Sequence, residues 1–170
     1  MEGSTTNLGV VVKKFNRNIL SIIIDSVCTN KKDLVNGFDD LDEILVDGIC
    51  IDNKFNGNDE KILISKEEID NKKCIIFWFQ DKDFLFNDSL NVGYLDRLNI
   101  FEKRIIAIME KLLMTNFVEY VFCDNDAEFT DIPMDVLINN GYYALIGYRD
   151  IGGEKIIKAN RFIDGMTNRV

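Results

Sequence analysis

The apolar positions in the N-terminal third of the chain change from β-branched runs to a spacing of three to four residues. Valine and isoleucine runs at residues 10–12 and 19–24 predict two strands joined by a turn at residues 16–18, with a short helix as the alternative over 19–24. Over residues 30–45, leucine and phenylalanine recur every three or four positions with acidic residues between them. This spacing predicts a helix with an acidic outer face.

The middle of the chain carries the strongest strand signals. Residues 49–51 and 62–64 flank a stretch rich in Asn, Gly and Asp, which is typical of a hairpin. The unbroken apolar run CIIFWF at residues 74–79 predicts a central strand that is buried on both faces. Two shorter apolar stretches, at residues 84–86 and 90–92, predict additional strands.

The clearest helical pattern covers residues 100–114. Aliphatic side chains occupy one face of this stretch, and Glu102, Lys103 and further charged residues occupy the other. A predicted strand at residues 119–123 follows the helix. The run of strand, helix and strand predicts one βαβ crossover in this half of the chain.

The C-terminal part predicts a second helix and two last strands. The helix is expected to begin near Pro133, where the missing N–H of proline is harmless, and to end before Gly141, which suits a left-handed cap. Strands are predicted at residues 142–148 and 155–159. The order of all the elements predicts a mixed α/β fold, with a mostly antiparallel central sheet and helices on both faces.

Composition and charge indicate an ordered protein with a basic partner. The 46% of hydrophobic residues and the single proline favour one packed domain over residues 1–170. The net charge of −9 argues against nucleic acid as a partner, since phosphate binding needs clustered Lys and Arg, and it favours cationic ones. Because no apolar run has the length of a membrane span and no signal-peptide pattern is present, we expect a cytoplasmic protein that binds no membrane. The oligomeric state is left open.

The absence of histidine restricts the chemistry that this chain can perform. It excludes Ser-His-Asp and Cys-His catalysis and every metal centre that depends on a histidine ligand. The four cysteines are far apart in sequence, so we expect buried thiols and no metal site. The acidic turn at residues 124–128 resembles a calcium loop, but Phe129 stands where such a loop needs glycine, and we interpret it as a solvated turn.

The segment at residues 90–106 carries the pattern that resembles a known family. Val92 on the predicted strand, Arg97 five positions later and the aliphatic pair Ile105-Ile106 in the helix are similar to the core motif of the GNAT superfamily of N-acetyltransferases. Residues 118–123 resemble the next strand of that family. The resemblance implies a GNAT-like fold whose sheet is splayed at a cofactor groove.

The later part of the chain extends the resemblance to about residue 160. The stretch 133–142, which ends in Gly141 and an aromatic residue, is similar to a short helix of the family, and the two predicted C-terminal strands are similar to its last two strands. In that family, backbone N–H groups of a loop and of the helix start hold the pyrophosphate of acetyl-CoA. The residues that the resemblance implies for cofactor binding are Val92, Arg97, Leu98, Asn99, Ile100, Phe101, Glu102 and Lys103.

The chain departs from the family pattern in two places. Ile100 and Glu102 replace the two glycines of the family's loop, and a carboxylate there would repel a pyrophosphate. Leu137 stands where many members place a tyrosine that protonates the leaving thiolate. Tyr142, Tyr143 and Tyr148 are nearby substitutes, and the sequence assigns no catalytic residue.

Two functions follow as hypotheses. In the first, the chain is a divergent N-acyltransferase that transfers an acetyl group from acetyl-CoA to a small amine or a protein amine. In the second, the same fold is a non-catalytic acidic binding protein, such as an immunity or inhibitor protein that neutralises a basic partner. Family resemblance favours the enzyme, and the chemistry of Ile100, Glu102 and Leu137 favours the binding protein.

Overall fold

A computed structural model describes residues 3–27, 43–47, 61–86 and 92–170, and these form one seven-stranded sheet with four helices. The strands lie side by side in the order β2-β3-β4-β1-β5-β6-β7, and every neighbouring pair is antiparallel. The strands are β1 (Thr5–Val12), β2 (Glu43–Asp47), β3 (Lys61–Ile69), β4 (Lys72–Gln80), β5 (Val118–Asn125), β6 (Leu145–Asp150) and β7 (Gly153–Lys158). The helices are α1 (Arg17–Val27), α2 (Asp81–Phe84), α3 (Tyr94–Leu113) and α4 (Met134–Asn139).

Strand β1 lies at the centre of the sheet and pairs with both β4 and β5. Its eight residues pair with residues 73–80 of β4 on one side, and seven of them, residues 6–12, pair with residues 118–125 of β5 on the other. Both neighbours are antiparallel to β1, so β4 and β5 run parallel to each other, and α3 connects them. A βαβ crossover is therefore present in this half of the chain, but its first strand is β4 and not the strand predicted directly before the helix, and β1 lies between its two strands.

Two apolar cores cover the two faces of the sheet, as a strand with alternating side-chain directions requires. One core packs α1 and α3 against residues such as Ile75, Phe77 and Phe79 of β4. The other contains Cys74 and Ile76 of the same strand, together with residues of β5, β6 and α4. The prediction that residues 74–79 form a strand buried on both faces is confirmed, as is the arrangement of helices on both faces of an antiparallel sheet.

The predicted strand at residues 19–24 is wrong, because this stretch belongs to helix α1. The buried side chains of α1 follow a helical spacing and are Ile19, Leu20, Ile23, Ile24 and Val27. The Asn16 side chain accepts a hydrogen bond of 2.9 Å from the backbone N–H of Ile19, so the predicted turn is the N-terminal cap of a helix. The β-branched composition favours a strand, but packing of an amphipathic face against α3 decides the structure.

The predicted strand at residues 84–86 is also wrong. Residue Phe84 ends the short helix α2, and the backbone N–H groups of Leu85 and Phe86 both bond to the carbonyl of Asp81. This compact turn buries Phe84 and Leu85 completely. Of the predicted strand at residues 90–92, only Val92 lies among the described residues, where it forms a bend.

The predicted helix over residues 30–45 is corrected at its end. Residues 43–45 lie in β2, which pairs antiparallel with residues 61–65 of β3. Residues 30–42 and the predicted strand 49–51 lie outside the described residues, as do Cys28 and Cys50. The strand predicted at residues 62–64 is therefore confirmed as part of β3, but it pairs with residues 44–46 of β2 and not with the predicted partner at residues 49–51.

The C-terminal predictions agree with the structure. Helix α4 begins after Pro133, and Gly141 takes a positive φ of 55° just beyond its end, as a left-handed cap requires. Strands β5, β6 and β7 cover most of their predicted ranges. In the described part of the chain, no helix has the length and apolar character needed to cross a membrane.

Candidate functional site

The residues predicted to form a cofactor loop lie inside helix α3. The helix begins at Tyr94, six residues before the predicted start, and the N–H of Arg97 already bonds to the carbonyl of Gly93. The backbone N–H groups of residues 98–103 therefore have partners within the helix. The N–H groups without such partners belong to the first turn, at Gly93, Tyr94, Leu95 and Asp96.

Most of the predicted cofactor-binding side chains serve the core or the helix itself. Leu98 and Phe101 are completely buried, and the ring of Phe101 stacks on Phe84 at a centroid distance of 5.3 Å. Ile100 is half-buried and packs against the same core. The Asn99 side chain donates to the carbonyl of Leu95 within the helix. Burial of one helix face explains why α3 extends towards its N-terminus, past the predicted loop.

Glu102 is buried and paired with the C-terminal segment, defined as residues 160–170. Its two carboxylate oxygens accept hydrogen bonds of 2.6 and 2.9 Å from the guanidinium of Arg169. One oxygen also accepts a bond of 3.3 Å from the backbone N–H of Ile163. The arginine neutralises this carboxylate, and Glu102 lies in the third turn of α3, so it does not stand at the helix start where it would repel a phosphate.

Arg97 holds the chain on both sides of residues 87–91. Its Nε donates to the carbonyl of Leu85 at 2.8 Å, and one of its terminal nitrogens donates to the carbonyl of Val92 at 2.7 Å. The Arg97 guanidinium also lies over the ring of Tyr94, with its Cζ 6.0 Å from the ring centroid, and this contact adds to the anchoring. Val92 and Lys103, the remaining predicted residues, are exposed.

The C-terminal segment folds back onto the start of α3. The carboxylate of Asp164 accepts hydrogen bonds from the hydroxyl and N–H of Thr167, from the N–H of Met166 and from the hydroxyl of Tyr94. Burial raises the pKa of Asp164, but these hydrogen bonds outweigh it and hold the pKa below its ordinary value. Ile163 is completely buried beneath this turn. The segment thus covers α3 from its first turn to its third.

A buried carboxylate, missed by the sequence analysis, joins three strands next to this region. Asp81 accepts hydrogen bonds from the hydroxyls of Ser4 and Thr6, both at 2.7 Å, and from the side-chain amide of Asn125 at 2.9 Å. Burial raises the pKa of Asp81, although the three hydrogen bonds act against this shift. The signal in the sequence was an acidic residue directly after the apolar strand. All its bonds lead to neighbouring strands, which indicates a role in holding the end of the sheet.

The prediction of a solvated turn at residues 124–128 is wrong for Asp124, which lies buried near the end of β5 and is paired with Arg161 of the C-terminal segment. Asp124 also accepts a hydrogen bond of 3.0 Å from the N–H of Ala144. The Arg161 guanidinium donates further to the carbonyls of Gly141 and Tyr142. Two arginines near the C-terminus, Arg161 and Arg169, thus each bind a carboxylate that is 6% exposed or less. Sequence spacing carried no signal for these pairs because 37 and 67 positions separate their partners.

The candidate positions for acid catalysis differ in their surroundings. Leu137 is buried in the second core. The Tyr143 hydroxyl donates to the carbonyl of Glu128 at 2.7 Å, and burial raises the pKa of this phenol. Tyr142 is 46% exposed and stacks edge-on against Tyr143. Among the described residues, no cluster of acidic and cysteine side chains has the arrangement of a metal site.

Comparisons with known proteins add no relative. No family model, no curated protein and no solved structure matches this chain.

Proposed function

We propose that this chain is a non-catalytic binding protein whose acidic surface takes a basic protein partner. The observation that carries the proposal is the pairing of Arg169, from the C-terminal segment, with Glu102 of α3, where the resemblance implies a cofactor loop. Residues 98–103 use their backbone N–H groups within the helix and much of their side-chain surface within the core. The chain's own C-terminal segment therefore covers part of the stretch in which an enzyme of the GNAT superfamily would need exposed backbone N–H groups.

The surface proposed for the partner is the acidic segment, defined as residues 126–142. It lies within residues 112–148, a stretch with six acidic residues and neither Lys nor Arg. Glu128, Asp131 and Asp135 are exposed in it. Val136 and Tyr142 are also exposed, by 40% and 46%. Negative charge beside an exposed aromatic ring favours a cationic protein surface, because charge raises the association rate and the ring supplies buried contact area.

A charge-neutral variant of the acidic segment tests this proposal. The triple substitution Glu128→Gln, Asp131→Asn and Asp135→Asn keeps the size of each side chain and removes three charges. Binding to a set of lysine- and arginine-rich peptides is measured by interferometry at two salt concentrations. The affinity should fall about tenfold, because the triple variant loses several exposed charge contacts at once. The salt dependence of the association rate should fall as well.

A matched control distinguishes a defined surface from the general effect of net charge. The triple substitution Glu68→Gln, Asp96→Asn and Glu110→Gln removes the same charge from exposed positions on β3 and α3. It should leave binding nearly unchanged. An equal loss in both triple variants would overturn the assignment of the partner site to the acidic segment.

One observation favours the enzyme as a second candidate, a divergent GNAT-like N-acetyltransferase. The first turn of α3 offers unpaired N–H groups beside Gly93, around which a side chain would find nothing within 4 Å. Such a helix start attracts anions. The crossover from β4 through α3 to β5 also supports the GNAT-like fold. The position of β1 speaks against it, because β1 pairs with both strands and they therefore do not splay apart to form a groove. Acetyl-CoA binding decides between the two candidates.

A further inference from the structure

A cleft lies on the sheet at the end opposite to the start of α3. It has a volume of about 550 Å³, within the range of small-molecule sites, and its walls come from the ends of β1, β4, β5 and β6 and from α4. Apolar contact area is offered by Val118 and Met134. The cleft shares no residue with the acidic segment except Met134, so its occupant is a question separate from the proposed function.

The charge of the cleft is opposite to that of the whole protein. Three cationic side chains, Lys13, Lys72 and Arg149, line it together with a single carboxylate, Glu119. Arg149 also pairs with Glu154 at 2.6 Å on the exposed edge of the sheet. A surplus of positive charge in a protein with a net charge of −9 favours an anionic ligand at this place.

The hydroxyl of Tyr120 provides an independent sign of a missing ligand. Tyr120 lines the cleft and is only 3% exposed, and its hydroxyl has no hydrogen-bond partner among the described residues. Buried hydroxyl groups almost always have a partner, because leaving one unpaired is costly. Burial, together with the nearby Cys74 and Glu119, raises the pKa of this phenol, so it stays protonated and able to donate.

We propose that this cleft binds a small organic oxyanion, a phosphate monoester or a carboxylate. The oxyanion accepts a hydrogen bond from the Tyr120 hydroxyl and lies near the ammonium groups of Lys13 and Lys72. The apolar part of the ligand packs against Val118 and Met134. The site joins a buried neutral donor to the exposed Lys13 and the half-buried Lys72, an arrangement that recognises an anion with an apolar body.

Two probes of equal size distinguish the two oxyanions. Phenyl phosphate and phenylacetate are titrated into the isotopically labelled full chain, and backbone amide shifts are followed by NMR. We expect saturable shifts that map to residues 13, 72 and 116–120, with the stronger binder showing which oxyanion the cleft prefers. Absence of localised shifts with both probes at millimolar concentration would overturn the proposal.

Variants separate the proposed contacts from unspecific charge attraction. Tyr120→Phe should weaken binding about tenfold, the loss expected for one hydrogen bond to a charged group, and should leave the unliganded protein at least as stable. The double variant Lys13→Gln and Lys72→Gln should weaken binding by a similar factor. Unchanged affinity in Tyr120→Phe would show that the hydroxyl takes no part and would overturn its assignment.

Two matched controls complete the test. Tyr148→Phe makes the same chemical change on β6, directly opposite Tyr120 in the register but outside the cleft lining. Lys158→Gln removes an exposed lysine from β7. Both should bind the probes as the wild type does. Equal losses in controls and cleft variants would indicate weak unspecific binding and would contradict a defined site.

Discussion

At the scale of single residues, three buried carboxylates fix the position of the C-terminal segment. Glu102, Asp124 and Asp164 each bind groups of the C-terminal segment, and each is 6% exposed or less. A carboxylate in such surroundings is stable only while its partner is present, because the cost of desolvation stays when the partner is removed. These residues therefore report how strongly the segment is held against the rest of the fold.

Replacing Arg169 should destabilise the protein strongly. The variant Arg169→Gln leaves Glu102 buried without its bidentate partner, and the free energy of unfolding should fall by about 3 kcal/mol, with some relief because the Arg169 side chain is 18% exposed. Chemical denaturation followed by circular dichroism measures the change. Arg149→Gln, which breaks the exposed pair with Glu154, should have a much smaller effect, because water screens that pair. Equal effects of the two variants would contradict the structural role of the buried pair.

The pH dependence of the unfolding free energy should show how much the ionised Asp164 carboxylate contributes to stability. Its folded-state pKa lies below the ordinary value near 3.8, so its contribution is present above that pH and is lost as the pH falls through the folded-state pKa. The difference in unfolding free energy between the wild type and Asp164→Asn should be largest near neutral pH and should shrink below about pH 4. A difference that stays constant down to acidic pH would show that the Asp164 charge does not matter.

At the scale of secondary structure elements, local sequence patterns predicted strands and caps well where burial and pattern agree. Residues 74–79 and helix α4 are examples. The pattern failed at residues 19–24, where isoleucines that favour strands form a helix because their spacing matches an apolar stripe. The start of α3 was missed for a related reason. Leu98 and Phe101 extend the apolar stripe towards the N-terminus, whereas the family resemblance required a loop there.

The N-terminal cap of α1 gives a test at this scale. Asn16→Ala removes the side-chain acceptor for the N–H of Ile19 and should lower the unfolding free energy by about 1 kcal/mol. Asn16→Asp keeps an acceptor at the same place and should preserve most of the stability. Thermal denaturation of both variants measures the difference. If Asn16→Asp is as damaging as Asn16→Ala, the cap does not account for the start of this helix.

At the scale of the whole molecule, the sequence predicted the class of fold but not the contacts between residues that are far apart in the chain. Mixed α/β structure, an antiparallel sheet and a crossover helix follow from apolar patterns that are local. The insertion of β1 between β4 and β5 depends on pairing across more than 60 positions, which no local pattern encodes. The ion pairs of the C-terminal segment are equally remote in sequence. Arg97 and Glu102 were predicted as cofactor-binding residues, and the structure shows hydrogen bonds from Arg97 to the carbonyls of Leu85 and Val92 and from Arg169 to Glu102, none of which was predicted.

The central claim is the proposal that this chain is a binding protein that takes no acetyl-CoA, and calorimetric titration of the full chain with acetyl-CoA and CoA tests it most directly. We predict no binding heat at millimolar ligand and moderate salt, because the N–H groups at residues 98–103 are engaged within the helix and the Asp164 carboxylate, bonded to the Tyr94 hydroxyl beside the first turn, repels a pyrophosphate there. Micromolar binding of either ligand would contradict this account and would establish the start of α3 as a working anion site.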